Sequence, residues 1–304
     1  MASQRDVKSK IGSVKNIQKI TRAMEMVAAA RLRRAEQRIT ALRPYANAIR
    51  RMTRQAAQAA GGAESARVPL LAEHESESAA ALLLVTGDRG LAGAFNSQVI
   101  RAGVRMGGEL GQKGLRSRWY ATGRRGVSSI SFRGYELEGS YVGFSDRPSY
   151  ADARTIADDL MTAYVDGRVD RVEMVYNAYI SPLRQTVTHE RLLPLAKATI
   201  AGEEEPSDGE QVEEETRLHA AVEYEPDPEQ ILRRLLPDYV EISVYRALVE
   251  STAGFFGAQM TAMRSASDNA GEIITGLTLQ MNRARQAEIT QEIMEVVAGA
   301  EGLR

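Results

Sequence analysis

The stretch "NIQKITRAMEMVAAARLRRA", residues 16–35, decides the architecture. Its apolar side chains recur at three- and four-residue steps, the period of a helix, while Lys19, Arg22, Arg31, Arg33 and Arg34 crowd the other faces. Upstream and within it, Val7, Ile11, Val14, Ile17, Ile20, Met24 and Val27 form one stripe. Ala28, Leu32, Ala35, Ile39 and Leu42 continue it with a slight rotation. Pro44 predicts a kink rather than an end, because "ANAIRRMTRQAAQAA" after it is again helix-forming, and Gly61-Gly62 predicts the stop. At 1.5 Å per residue such a helix is about 80 Å long, more than a small domain needs.

A basic amphipathic helix suits a membrane surface, nucleic acid or an acidic protein. The first 54 residues carry 14 Lys or Arg against Asp6, Glu25 and Glu36, a net +11, and the other 250 carry −12. That asymmetry marks an arm that meets an acidic partner. The first 35 residues have no aromatic side chain to stack on bases, so nucleic acid is disfavoured. Val, Ile, Met and Ala make a packing seam rather than a set of membrane anchors. The longest apolar run, "AAALLLV" at 79–85, is too short to span a bilayer, and "MASQRDVKSK" has no apolar signal core. The protein is therefore expected to stay in the compartment where it is made. The chain has no cysteine, which removes disulfides, thiol nucleophiles and Cys-ligated zinc.

The C-terminal region, 228–304, mirrors the first, 1–60. Tyr245, Val249, Phe256, Met260, Met263, Ala270, Ile274, Leu277, Met281 and Ala284 fall on one heptad frame with two positions skipped. That is coiled-coil spacing, and the N-terminal helix is the obvious partner. Beyond Ala284 the frame breaks: Glu288 and Gln291 take the seam, and Ile289, Ile293 and Val296 start a new stripe. Between the helices, residues 78–200 alternate strand and helix. "AAALLLVTGDRG", "RWYATG" and "DRVEMVYNAYIS" read as strands, and "SYADARTIADDLMTAYVDG" as a capped helix. The expected fold is thus a coiled coil of the two terminal helices with a small α/β layer domain inserted. A linker at 201–227 holds ten acidic residues from Glu203 to Glu225 against Arg217, the pattern of a solvated loop.

The one candidate ligand loop is "VTGDRGLAGAFN", residues 85–96. Gly90 and Gly93 are followed by Ala94 and Phe95, so the Lys and hydroxyl of a phosphate loop are missing, as is GxGxxG. His74, His189 and His219 lack metal-ligand spacing and read as exposed or edge histidines. Asp158-Asp159 sits on a helix face, without the apolar enclosure that acid–base pairs need. No catalytic residue, cofactor or metal is expected.

"SKIGSVKNIQKITRAMEMVAAARLRRAE" and "SASDNAGEIITGLTLQMNRARQAEITQEIMEVVAGA" strongly resemble the terminal helices of the gamma subunits of bacterial F-type ATP synthases. "VTGDRGLAGAFN" and "YEPDP" are similar to that family's mid-chain landmarks, in order. The resemblance implies a central-stalk rotor: an antiparallel two-helix coiled coil forming an axle inside a ring of alpha and beta subunits, with its small Rossmann-like α/β domain against the epsilon subunit and the c-ring. Such a rotor couples proton flow to ATP synthesis at sites on other chains. It implies a peripheral location on the cytoplasmic face of the bacterial plasma membrane. By the same resemblance Lys19, Arg22 and Met24 lie near the beta lever loops, and Gln286, Thr290, Glu292 and Glu295 meet the ring's catch loops. Asp88, Arg89 and Gly90 lie near epsilon and the c-ring. The chain departs from the family pattern at Gln259, where arginine is common, at Phe255-Phe256 and at Ala92. The competing reading is a coiled-coil protein whose α/β domain itself binds a nucleotide.

Overall fold

The computed structural model describes residues 4–65, 68–74, 76–195 and 228–301. The acidic segment at 203–225 and His219 lie outside them. Two helices dominate: α1 (Gln4–Ser65), continuous through Pro44, and α5 (Pro228–Glu301), continuous through Pro237. The stop expected at Gly61-Gly62 falls short, because α1 runs to Ser65. A glycine costs a helix only about 1 kcal/mol, too little to end one of this length.

The helices are antiparallel. Gln18 Nε2 donates to the Ser267 carbonyl at 3.2 Å, Arg264 pairs with Glu25 at 2.8 Å, and Arg31 lies over the Phe256 ring at 5.6 Å. Continuing that register places Gln4 opposite roughly residue 283, at 3.5 residues per seam step. The heptad frame of α5 therefore ends where its partner ends: Met263, Ser267 and Ala270 are buried, while residues 285–298 are all exposed. The seam of α1 corrects the sequence reading. Val7 and Ile11 are buried, but the seam then runs through Gln18, Thr21, Glu25 and Ala28. Ile17, Ile20 and Val27 lie outside it, each more than half exposed. Both sets recur at heptad spacing one residue apart, so periodicity alone could not choose between them.

Between the long helices lies a five-stranded sheet of order β3-β2-β1-β4-β5. Its strands are β1 (Ala79–Val85), β2 (Arg116–Thr122), β3 (Leu137–Tyr141), β4 (Arg171–Ser181) and β5 (Arg184–Leu193). The first four are parallel, linked through α2 (Phe95–Gln112), α3 (Arg124–Phe132) and α4 (Tyr150–Val165), and β5 returns antiparallel on β4. Every residue of β1 is buried because both its faces are covered. Leu82 and Leu84 meet Val99 and Trp119 on one face. Leu83 and Val85 meet Leu160, Val244 and Leu248 on the other, in a core that also takes Ile49 and Ala56 of α1. The sheet is thus welded to the shaft. Ser149 and Asp152 form the capping box that starts α4.

Candidate functional site at the shaft tip and the domain loop

Residues expected at a partner surface fall on two levels of the shaft. Lys19 and Arg22 are exposed and Met24 is half-buried, and they flank the outward ridge of Ile17, Ile20 and Val27. The seam beneath this ridge is polar. Gln18 and Glu25 make the cross-helix bonds given above, and Thr21 Oγ1 donates to the Gln18 carbonyl at 3.0 Å. Gln286, Thr290, Glu292 and Glu295 lie on the unpartnered end of α5, all exposed. Thr290 donates to the Gln286 carbonyl at 2.8 Å, and Gln291 to Glu295 at 3.0 Å. Along the axis the nearest member of this second set, Gln286, stands about 27 Å beyond the level of Lys19, roughly 18 residues at 1.5 Å each. The structure therefore builds no single pocket from the seven. It makes a rod with basic charge and apolar ridge at one level, and exposed Ile289, Ile293, Met294 and Val296 among glutamates at the next. Contiguous exposed apolar surface of this kind marks a contact.

The loop after β1 sits where a doubly wound sheet would bind a ligand, at the carboxyl ends of β1 and β4 where the chain reverses direction. That crevice is filled from the shaft. The Phe255 ring of α5 lies 3.2 Å from where a Cβ on Gly87 would be, and meets Phe95 edge-on at 5.6 Å. The space left, lined by Thr86, Gly87, Phe95, Phe144 and Leu248 among others, is about 10 Å³. A single water fills that. The backbone donors around the loop meet Asp88, not a ligand phosphate. Its carboxylate accepts from the N–H of Arg124 at 3.1 Å, Gly143 at 3.0 Å and Ser145 at 3.2 Å. Burial would raise the Asp88 pKa, but these bonds and the Ser145 side chain outweigh it and hold it below 3.8.

Asp88 is therefore turned inward, its side chain 11% exposed, and ties together the loops after β1, β2 and β3. Gly90 is covered: a Cβ there would stand 2.8 Å from Arg125 Nη2. Of the three loop residues named from sequence, Arg89 alone presents its side chain, loosely held by Asp146 at 3.7 Å. Beside it stands a residue the sequence reading passed over. Leu91 is 62% exposed with φ of 64°, a left-handed conformation that costs a branched side chain. An apolar residue between Gly90 and the buried Ala92 was the available signal.

Of the two described histidines, His189 is exposed on the edge strand β5, as expected, and His74 is more committed. His74 pairs with Asp170 at 2.7 Å and stacks on Tyr164, and His189 pairs with the buried Glu173 at 2.7 Å. Sequence reasoning also missed the group that locks sheet to shaft. Arg246 of α5 chelates Glu190 of β5 at 2.7 and 2.9 Å, touches Tyr176 at 3.1 Å and faces Glu250 at 3.7 Å. Among the described residues no cluster of His, Asp and Glu is arranged to hold a metal ion. No helix among them is long and apolar enough to cross a membrane.

A shaft with an unpartnered apolar end and a side domain whose ligand crevice is plugged by the shaft define a mechanical, contact-making protein. The whole chain bears this out by relationship. The ATP synthase family model matches residues 3–303, and the chain belongs to that family as a gamma chain. It is 45% identical to the ATP synthase gamma chain of Rubrobacter xylanophilus over 100% of this chain and 99% of that one. It is 42% identical to that of Streptomyces coelicolor over 99% and 96%. Among solved structures it resembles a chain of the Tetrahymena thermophila mitochondrial ATP synthase central stalk and c-ring, with TM-score 0.58, 25% identity and coverage of 82% and 99%. A chain of the Euglena gracilis mitochondrial enzyme shares the fold, with TM-score 0.66, 18% identity and coverage of 99% and 94%.

Proposed function

We propose that this chain is the central-stalk rotor of an F-type ATP synthase. It turns inside the ring of alpha and beta subunits, driven through the epsilon subunit and the c-ring, and carries no catalytic site or cofactor of its own. Coupling is a population shift: each orientation of the asymmetric shaft favours one conformation of each beta subunit through differential contacts. The observation that carries the reading is the outward apolar ridge of Ile17, Ile20 and Val27 beside Lys19 and Arg22, with the bare α5 tip above it. A rod that keeps its apolar residues outside its own seam needs a sleeve that excludes water, and the basic residues suit acidic lever loops. In the same reading Met24, Gln286, Thr290, Glu292 and Glu295 face the ring, and Arg89, on the loop that the inward Asp88 ties down and Gly90 helps to shape, belongs to the surface toward epsilon and the c-ring. The complex would hold the chain peripherally at the cytoplasmic face of the plasma membrane. Native mass spectrometry of the tagged chain, purified gently from its own cells, tests this. One copy with a ring of two larger nucleotide-binding subunits is expected. A lone chain or homo-oligomer, with such a ring present in the cells but never co-purifying, overturns it.

A further inference from the structure

On the side of the shaft facing the β3–α4 loop lies a cleft of about 380 Å³ that the rotor reading does not use. Arg31, Arg34 and Arg38 of α1 form one wall, Asp146 and Arg147 of the loop another, and Thr252 and Phe256 of α5 the floor. Four guanidiniums thus meet one carboxylate. Asp146 is already shared between Arg31 at 2.9 Å and Arg89 at 3.7 Å, and Arg31 is further held over Phe256. Arg34, Arg38 and Arg147 have no carboxylate within 4 Å among the described residues. Arg31, Arg34 and Arg38 follow each other at i, i+3 and i+7, so their like charges stack on one helix face and repel. Arginine cannot relieve this by losing its proton. A multivalent anion bridging successive turns can, and the planar guanidinium fork matches phosphate oxygens two at a time.

The cleft continues past Arg38 into an open groove of about 480 Å³ walled by Tyr45, Tyr150 and Tyr245. Tyr150 and Tyr245 meet edge-to-face at 5.7 Å, and Tyr45 is 48% exposed, so the groove offers aromatic surface to a planar group. We propose that the Arg34–Arg38–Arg147 cleft is a binding site for a phosphate-bearing polyanion. The neighbouring tyrosines are placed to take the base if that anion is a nucleotide.

Arginine-specific labelling with phenylglyoxal, mapped by mass spectrometry on the purified complex, reads each guanidinium separately from sites on other subunits. Inorganic pyrophosphate should slow modification of Arg34, Arg38 and Arg147 about tenfold at matched ionic strength. Arg33 and Arg51, exposed on α1 away from the cleft, should be unaffected. In the Arg34→Ser chain, protection of Arg38 should fall about tenfold. ADP protecting better than pyrophosphate, with that advantage lost in Tyr45→Ser, assigns the anion to a nucleotide. Equal protection by both assigns it to free polyphosphate. Equal slowing of Arg33 and Arg51 would mean ionic screening only. Arg34 and Arg38 unreactive without any added anion would mean that partner protein fills the cleft. Either of these last two results overturns the proposal.

Discussion

Replacing Phe255 by alanine should uncouple the α/β domain from the shaft more than it harms either alone. The ring is 4% exposed, wedged between Gly87, Phe95 and Phe256, with almost no free space beside it. A buried Phe covers about 200 Å². At 25 cal/mol per Å² its transfer is worth about 5 kcal/mol as an upper bound, and Phe-to-Ala core changes cost about 3–5. We expect about 4 kcal/mol, because the rigid walls of β1 and α2 leave little room to collapse. The chain's one tryptophan, Trp119, is buried on the far face of the sheet, so its fluorescence follows the domain and not the coiled coil. With a urea slope of about 2 kcal/mol per molar, the Trp119 midpoint should fall by about 2 M. Phe255→Leu, which keeps most of the volume, should lose less than half of that. A Trp119 midpoint within about 0.3 M of the parent, with the circular-dichroism signal of the long helices shifting instead, would refute the wedge.

Three further outcomes are expected. In α2, Gly103→Ala should lower the Trp119 melting temperature by several degrees, because the added Cβ would stand 2.3 Å from the buried Leu84 Cδ2, whereas Gly108→Ala, with nothing within 4 Å, should raise it. Burial alone would raise the Asp170 pKa, but donors from Ser78, His74 and Ala79 hold it at about 2, below its ordinary 3.8. Its contribution, about 2 kcal/mol, is present above about pH 4 and lost as pH falls toward 2. Melts across that window should show the slope in the parent and not in Asp170→Asn, and equal slopes would place the acid sensitivity elsewhere. Met24→Lys adds positive charge beside Lys19 and Arg22 on the ridge, and should lower protons pumped per ATP hydrolysed in the assembled enzyme while leaving assembly intact. An unchanged ratio would count against the placement of Met24 at the lever.

The sequence was most informative where one interaction dominates. The heptad frame of α5 held as far as Ala284 because, beyond the domain, Met263 and Ala270 have one partner helix and one face to bury. The continuous apolar run of β1 and the Ser149 cap were legible for the same reason. The strands left out, β3 and β5, carry weaker signals. "LEGSY" has a glycine in its middle and lies at the sheet edge, and "RQTVTHERLL" mixes exposed Arg184, His189 and Arg191 with half-buried residues until Leu192 and Leu193 enter the core. The loop at 85–96 was read as a turn without phosphate chemistry, but its inward Asp88 and the plug by Phe255 depend on residues 36 and more positions away. Contacts of that separation leave no local pattern. The same holds for Arg246, whose partners Glu190 and Tyr176 lie on two strands.

The seam of α1 shows what sets the rest. Turning α1 by about 100°, one residue's worth of helix, would bury Ile17, Ile20 and Val27 in place of Gln18, Thr21 and Glu25. For the tip alone that exchange is favourable. The same turn would withdraw Leu32 and Ala35 from Ala253 and Phe256, and Ile49 and Ala56 from the core shared with the sheet. A helix is stiff in torsion over this length, so the base, with its larger buried area, fixes the phase for the whole rod. The polar bonds of Gln18 to Ser267 and Glu25 to Arg264 then hold the tip in that phase at little cost in stability. The outward ridge is thus imposed from below. It is tolerable in the working molecule because an apolar sleeve can bury what the rod's own seam leaves out, and a surface so fixed can press on that sleeve without rotating away.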